Sequence, residues 1–317
     1  MLVVQKFGGS SVADAERIKA VAEIIAETRK SAELITVLSA RGDSTDELIA
    51  SAEELNLSPP KRELDALLST GEQSSVALMA MQLNSMGLDC ISLSGRQAGI
   101  KTDLNHGKAR IISIHPARIL RELEKGRIVL VAGFQGINEN DDVSTLGRGG
   151  SDTTAVALAA ALGADRCEIY SDVDGIYTAD PRLIPEAKKL DRISYDDMLL
   201  LSEGGSQVLH SRAVRAAMKY KVEILALSSF VKSGGTVVAE AEGDDICGIT
   251  RDISEGKISL VGRGVNAETE EDAIAVLSDA GIACLGTALS PRLLRIWLED
   301  KDLLPAMRIL HAKFFMT

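Results

Sequence analysis

The sequence predicts an α/β chain with a mainly parallel open sheet flanked by helices, followed by a small α+β module. Three observations carry this expectation. Apolar runs of strand length recur along the chain, helical periodicity fills the gaps between them, and short glycine- and hydroxyl-rich connections sit where strands hand over to helices. With 317 residues, of which 45% are hydrophobic and 26% charged, the chain has room for two domains and enough apolar mass to bury a core.

The elements follow in order. Residues 2–7 form the first strand, 14–29 place Ile18, Val21, Ala22 and Ile25 on one side of a helix, and 34–38 return as a second strand, so a βαβ unit opens the chain. Helices are expected over 71–86 and 151–162. The second starts with Ser151 and Asp152, residues suited to a helix start where backbone N–H groups lack partners. Further strands are expected over 128–132, 167–170 and 222–227. In the charged stretch 240–245 the character changes, which sets a first domain at 1–242 and a second at 246–317. The second reads as strands over 246–249 and 258–261, a helix over 269–280, strands over 282–287 and 293–298, and a helix over 303–314.

Composition excludes several functions. With 35 Lys and Arg against 46 Asp and Glu the formal charge is −11, which repels nucleic acid phosphate, and no basic stripe with interleaved aromatics offsets it. No nucleic acid partner is expected. The longest uncharged apolar stretch, 155–164, falls short of the ~18 to 20 residues a membrane span requires, and the amino terminus lacks the basic start and apolar run of a secretory signal. No membrane association and a cytoplasmic location are therefore expected. Cys90, Cys167, Cys247 and Cys284 lie far apart without a CxxC pair and read as buried free thiols. His106, His115, His210 and His311 make no ligand spacing, so each reads as a capping or packing residue and no metal site is expected.

Three segments carry chemistry. The first is Lys6-Phe-Gly8-Gly9-Ser-Ser, a strand end followed by glycines whose N–H groups can approach a phosphate, with Lys6 adding a full positive charge. An ordinary glycine-rich turn has the same pattern, and the Walker sequence is absent. In the second, Thr145-Leu-Gly-Arg148-Gly-Gly-Ser151-Asp152-Thr-Thr, an arginine able to grip a carboxylate or phosphate sits among glycines before an apolar helix. A loop capped by Ser151 or Asp152 explains the helix start but not the glycines. The third, Ser171-Asp172-Val-Asp-Gly-Ile-Tyr177-Thr-Ala-Asp-Pro-Arg182, imitates a calcium loop, but the remaining ligand positions fail.

Taken in order, these segments resemble the aspartokinases of the amino acid kinase family. The resemblance runs from residue 3 to about 238 and includes residues 39–47, 68–73, 97–99, 106–110 and 132–136. From residue 258 the tail resembles an ACT domain, a βαββαβ effector-binding module, here shortened to one where such enzymes usually carry two. The resemblance implies an amino acid kinase fold and transfer of the ATP γ-phosphate to the side-chain carboxylate of L-aspartate. The product would be 4-phospho-L-aspartate, the first step toward lysine, threonine and methionine. A carboxylate with a pKa near 4 is already ionised at neutral pH, so catalysis should rest on positioning and charge neutralisation.

By the same resemblance, Lys6 would hold the transferring phosphoryl group, Gly8 and Gly9 would donate N–H groups, and Mg2+ would bridge ATP oxygens. Arg148 would grip a carboxylate of aspartate, Glu72 its ammonium group and Thr45 a remaining oxygen, with Ser151 also in the substrate site. Asp152 would orient Lys6 and the substrate rather than remove a proton, Ser39 would lie near the phosphates, and Ser171, Asp172, Tyr177 and Arg182 would line the nucleotide pocket. Three positions depart from the family: Gln207 stands for a lysine, Leu227 for an arginine and Arg41 for a methionine. Two rival readings remain, a sister kinase acting on another acidic metabolite and a catalytically weak regulatory subunit. A homodimer joined through the ACT-like module is the expected assembly.

Overall fold

The computed structural model describes residues 1–243 and 245–316. Asp244, inside the expected boundary stretch, and Thr317, the last residue of the expected second domain, lie outside the described residues. In chain order the elements are β1 (Leu2–Phe7), α1 (Ala15–Arg29), β2 (Glu33–Leu38), α2 (Ser44–Leu55), α3 (Lys61–Ser85), β3 (Cys90–Leu93), β4 (Ile100–Thr102), β5 (Ile111–Ile114) and α4 (Ala117–Leu123). There follow β6 (Ile128–Ala132), β7 (Gln135–Ile137), β8 (Val143–Thr145), α5 (Gly150–Leu162), β9 (Arg166–Ser171), β10 (Arg192–Ser194), α6 (Tyr195–Glu203), α7 (Ser211–Tyr220), β11 (Ile224–Ser228) and β12 (Thr236–Ala239). The chain ends with β13 (Ile246–Asp252), β14 (Lys257–Gly262), α8 (Ala267–Asp279), β15 (Gly286–Ser290), β16 (Leu293–Trp297) and α9 (Leu303–Phe315).

Two compact units result, Met1–Asp174 with Lys219–Gly235, and Gly175–Met218 with Thr236–Thr317. Compactness thus divides the chain elsewhere than at residues 242–246. The first unit is built on parallel strands in the order β11-β9-β1-β2-β6-β3. Its central strands are buried on both faces, which is why they read as continuous apolar runs rather than alternating ones. Ile18, Val21, Ala22 and Ile25 of α1 join Val76, Met79 and Leu83 of α3 in one core with Val3, Phe7, Leu34 and Leu38. Helix α5 is apolar on nearly every side because it packs against β1, β2 and β9.

Helix α3 begins ten residues before the expected residue 71, because Pro60 caps its start and Gly71 lies inside it. Glycine survives there for a packing reason, since a Cβ on Gly71 would stand 2.9 Å from the Cβ of Ala40. Helix α2 buries no residue and so carries no apolar stripe by which the sequence could announce it. The strands of the small mixed sheet β5-β4-β7-β8 are three or four residues each, too short for a periodicity signal.

In the second unit β10 pairs in parallel with β12. An antiparallel sheet in the order β13-β14-β16-β15 packs on α8 and α9 around Ile258, Leu260, Leu277, Ile296 and Leu310. The resemblance implied βαββαβ, whereas the chain runs ββαββα from β13, and the strand beside β14 arrives from the amino-terminal side. The strand expected over 282–287 lies at Gly286–Ser290 instead. Ile282 is not in the sheet because its N–H donates to the Leu277 carbonyl at 2.9 Å, closing α8 behind Gly281, whose φ is +72°. Among the cysteines only Cys167 is fully buried, the other three being partly exposed, and all four are free thiols.

Candidate functional site

The site grows from the carboxyl ends of the parallel strands. Strand β1 has β2 on one side and β9 on the other, and the carboxyl ends of such adjacent parallel strands are the usual ligand position in an open α/β sheet. Lys6 is the penultimate residue of β1, Ser39 follows β2, and Ser171 ends β9. The Lys6 ammonium meets Asp152 Oδ1 at 2.7 Å, with only 11% and 12% of the two side chains exposed.

Asp152 reaches Lys6 from the first turn of α5. That turn lies close on the sheet because Gly133 follows β6, where a Cβ would come within 2.7 Å of the Ser151 hydroxyl. Neither Ser151 nor Asp152 caps the helix. The N-cap is Gly149, in the left-handed region at φ 69°, and no side chain satisfies the first-turn N–H groups. The Asp152 carboxylate is thus committed to Lys6, and the dipole end of α5 remains available to an anion. Ser151 is buried in the same turn, while Arg148 is exposed in the turn ahead of it.

Glu72 comes from the middle of α3. Its Oε1 accepts the Ala40 N–H at 3.1 Å, while Oε2 is buried without a hydrogen-bond partner. Burial raises its pKa to about 7, and the backbone N–H groups it accepts only partly oppose that. A carboxylate held this way has an open position for a cation. The loop carrying Ser39 and leading to Thr45 is tied down by Ser39 N–H to the Phe7 carbonyl at 3.1 Å and Gly42 N–H to the Gly9 carbonyl at 3.0 Å. Thr45 lies, half-buried, in the first turn of α2. Gly9 is required where it stands, since a Cβ would come within 2.8 Å of the Ala40 carbonyl oxygen.

The amino acid kinase family pattern matches residues 1–226. Aspartokinase of Corynebacterium efficiens is 51% identical over 269 residues, covering 82% of this chain and 64% of that protein. Aspartokinase of Corynebacterium glutamicum is 48% identical over 289 residues, covering 89% and 69%. The solved aspartate kinase of Synechocystis superposes with a TM-score of 0.69 at 31% identity, over 100% of this chain and 70% of that one. The chain belongs to the aspartokinases of the amino acid kinase family. It spans about 64% of the length of the C. efficiens relative.

For an aspartokinase-family chain, the structure brings Lys6 together with Asp152 and holds the Thr45 loop to Glu72 through Ala40. It corrects the part expected of Gly8. That N–H already donates to the Tyr170 carbonyl at 3.2 Å, locking the turn to β9, and so is not free for a phosphate. Ser171 is half-buried, and its hydroxyl exchanges 3.3 Å hydrogen bonds with the backbone of Val173, while Asp172 is exposed. Tyr177 and Arg182 belong to the second unit, where the Arg182 guanidinium grips both Asp180 oxygens, Nε to Oδ1 at 3.0 Å and Nη2 to Oδ2 at 2.8 Å. Gln207 is exposed in that unit too.

Two features escaped the sequence. Phe134 holds φ 68°, a costly conformation for a bulky residue, and its N–H and carbonyl bond Thr154 and Leu146 on either side of the Arg148 turn. Asp65 of α3 is 1% exposed and accepts hydrogen bonds from two segments, at His106–Gly107 and at Thr145. A lone aspartate carries no motif, so only the fold reveals it. A cavity of about 330 Å³ between α2 and α3 is lined by Arg41, Ser44, Glu47, Thr70 and Ser74 and by none of the Lys6 cluster.

Proposed function

We propose that this chain transfers the γ-phosphoryl group of ATP, supplied as its magnesium complex, to the side-chain carboxylate of L-aspartate, giving 4-phospho-L-aspartate and ADP. The observation that carries the reading is the Lys6–Asp152 pair at the end of β1, between a glycine turn and an uncapped helix start. A carboxylate oxygen of aspartate forms the new bond to phosphorus while the bond to the leaving ADP oxygen breaks, and ADP departs with the electron pair. No proton has to be removed, which leaves Asp152 to hold Lys6 where negative charge gathers. Glu72 offers Oε2 to the aspartate ammonium, Arg148 and Thr45 take its oxygens, and Ser151 lines the same pocket.

Among the described residues no cluster of three His, Cys, Asp or Glu side chains gathers. Magnesium would enter with the nucleotide and supply charge neutralisation at the phosphates, beside Lys6. Gly9, Ser39, Ser171 and Asp172 serve the nucleotide in this reading. Residues 1–242 act as the catalytic domain and 246–317 as an ACT-like regulatory domain. The outer strand β15 of that domain is largely exposed, which favours pairing with a second copy, and light scattering of the full chain tests the homodimer.

A coupled assay of the 317-residue chain with ATP, Mg2+ and a panel of aspartate, glutamate and N-acetylglutamate tests the reaction. ADP release with aspartate alone is the expected result. Release with another acid makes the chain a sister kinase, and no release with any of them makes it a binding subunit.

A further inference from the structure

Asp65 lies on α3, seven residues before Glu72. Two helical turns separate them, about 10.5 Å along one face of the helix. Its carboxylate is almost wholly buried, and every bond it accepts comes from elsewhere in the chain. His106 Nδ1 stands 2.8 Å from Oδ2, Gly107 N–H stands 3.1 and 3.0 Å from the two oxygens, and the Thr145 hydroxyl donates to Oδ1. These contacts clamp two chain segments against each other. The Ala109 N–H donates to the Thr145 carbonyl at 2.9 Å, and Gly147 packs so closely that a Cβ on it would come within 2.9 Å of the Gly107 carbonyl oxygen. Arg148 is the next residue.

We infer that Asp65 is a positioning residue for the acceptor site, holding the 106–109 turn and the strand leading to Arg148 at a fixed distance from Glu72. The inference rests on the proposed function, and it makes α3 the common ruler for the two ends of the substrate: Glu72 for the ammonium group and, through Asp65, Arg148 for a carboxylate. Hydrogen bonds to a buried carboxylate are the strong ones, and Asp65 takes several in the interior, so this side chain joins the Ala109–Thr145 and Phe134 bonds in setting the register of the Arg148 turn. An exposed arginine on an unanchored turn would present its guanidinium over a range of positions, and small misplacements of a binding group weaken a site built for one geometry.

The test is steady-state kinetics on the full chain with Asp65→Asn, which keeps the size and removes the charge. The aspartate KM should rise on the order of ten-fold, while the ATP KM stays within about two-fold of the unaltered chain. A double-mutant cycle separates positioning from general loosening. Asp65→Asn placed in an Arg148→Ala background should add little further loss, because the residue it positions is gone. If Asp65→Asn does not fold, His106→Ala removes one bond from a half-buried ring and should shift the aspartate KM in the same direction by less. Equal changes in the aspartate and ATP KM values, or a full additional loss in the Arg148→Ala background, overturn the inference while leaving the aspartate kinase reading in place. An unaltered chain that turns over no aspartate removes both.

Discussion

Both units bury charged side chains, but they finish them differently. In the second unit Arg292 Nη1 meets Asp197 Oδ1 at 3.0 Å, Asp197 also accepts the Ser194 hydroxyl at 2.6 Å, and the buried Lys257 lies against Asp252 and Glu255. His311, 1% exposed, meets the Thr178 hydroxyl at 3.0 Å and stacks on Phe315. In the first unit Asp65, Glu122 and Glu168 are completed in the same way, but Glu72 keeps one oxygen without a partner, and Lys6 pairs with Asp152 beside an uncapped helix start. Satisfied charges hold a fold together, whereas a buried charge without a partner is costly unless a ligand completes it. That contrast sets Glu72 apart from the buried carboxylates completed within the chain.

Breaking the first-unit pair should have the largest effect. Lys6→Ala and Asp152→Ala are each expected to lower kcat on the order of 10² to 10³ with small changes in the aspartate KM, as measured in the coupled assay. Near wild-type turnover in either variant would take the pair out of the transition state. Next comes Arg148→Ala, which should raise the aspartate KM by roughly 10 to 100-fold, the value of a charge-assisted bond of about 1.5 to 3 kcal/mol, and leave the ATP KM alone. In the second unit Arg292→Ala leaves the Asp197 carboxylate short of its cation, so thermal unfolding should show a loss of about 1 to 3 kcal/mol with kcat unchanged. A drop in kcat without a drop in stability would erase the distinction between the units.

The two units should also respond to pH with opposite signs. Glu72 holds its proton to about pH 7 when folded, above the ordinary carboxylate value of 4.5, so the unfolded chain binds fewer protons between those values. Stability of the first unit therefore falls as pH rises through that window. Binding of an ammonium group needs Glu72 ionised, so kcat/KM for aspartate should climb as pH rises toward about 7, and Glu72→Gln should flatten the climb while lowering its plateau. His311 has its pKa lowered, chiefly by burial, so the unfolded chain binds more protons once pH drops below 6.5, and the second unit weakens as pH falls. Peptide-resolved hydrogen exchange at pH 5 and pH 8 reads both slopes in one sample. The smallest effect is expected from Gln207→Lys. Because that side chain is exposed, any gain in ATP affinity should stay under about five-fold, measured as the ATP KM.

What the sequence by itself determined are the features whose signal is local. Strands β1, β2, β6 and β9 lie inside a parallel sheet and bury both faces, so their apolar runs announce them. Lys6 with its glycines, and Asp152 at the head of an apolar helix, are legible because an anion site needs those residue types at a strand-to-helix junction. What only the tertiary structure decided are pairings made across long separations. The Lys6–Asp152 bond joins the first strand to the fifth helix, the Gly8 N–H was taken by Tyr170 rather than left for a phosphate, and Arg182 found Asp180. Asp65 shows the limit most plainly. Its partners lie about 40 and 80 residues away, and nothing in its neighbours along the chain distinguishes it from any other acid on a helix. Local sequence fixes what a residue can do, but which groups it meets, and which it leaves free for a ligand, is set by how the distant segments close upon one another.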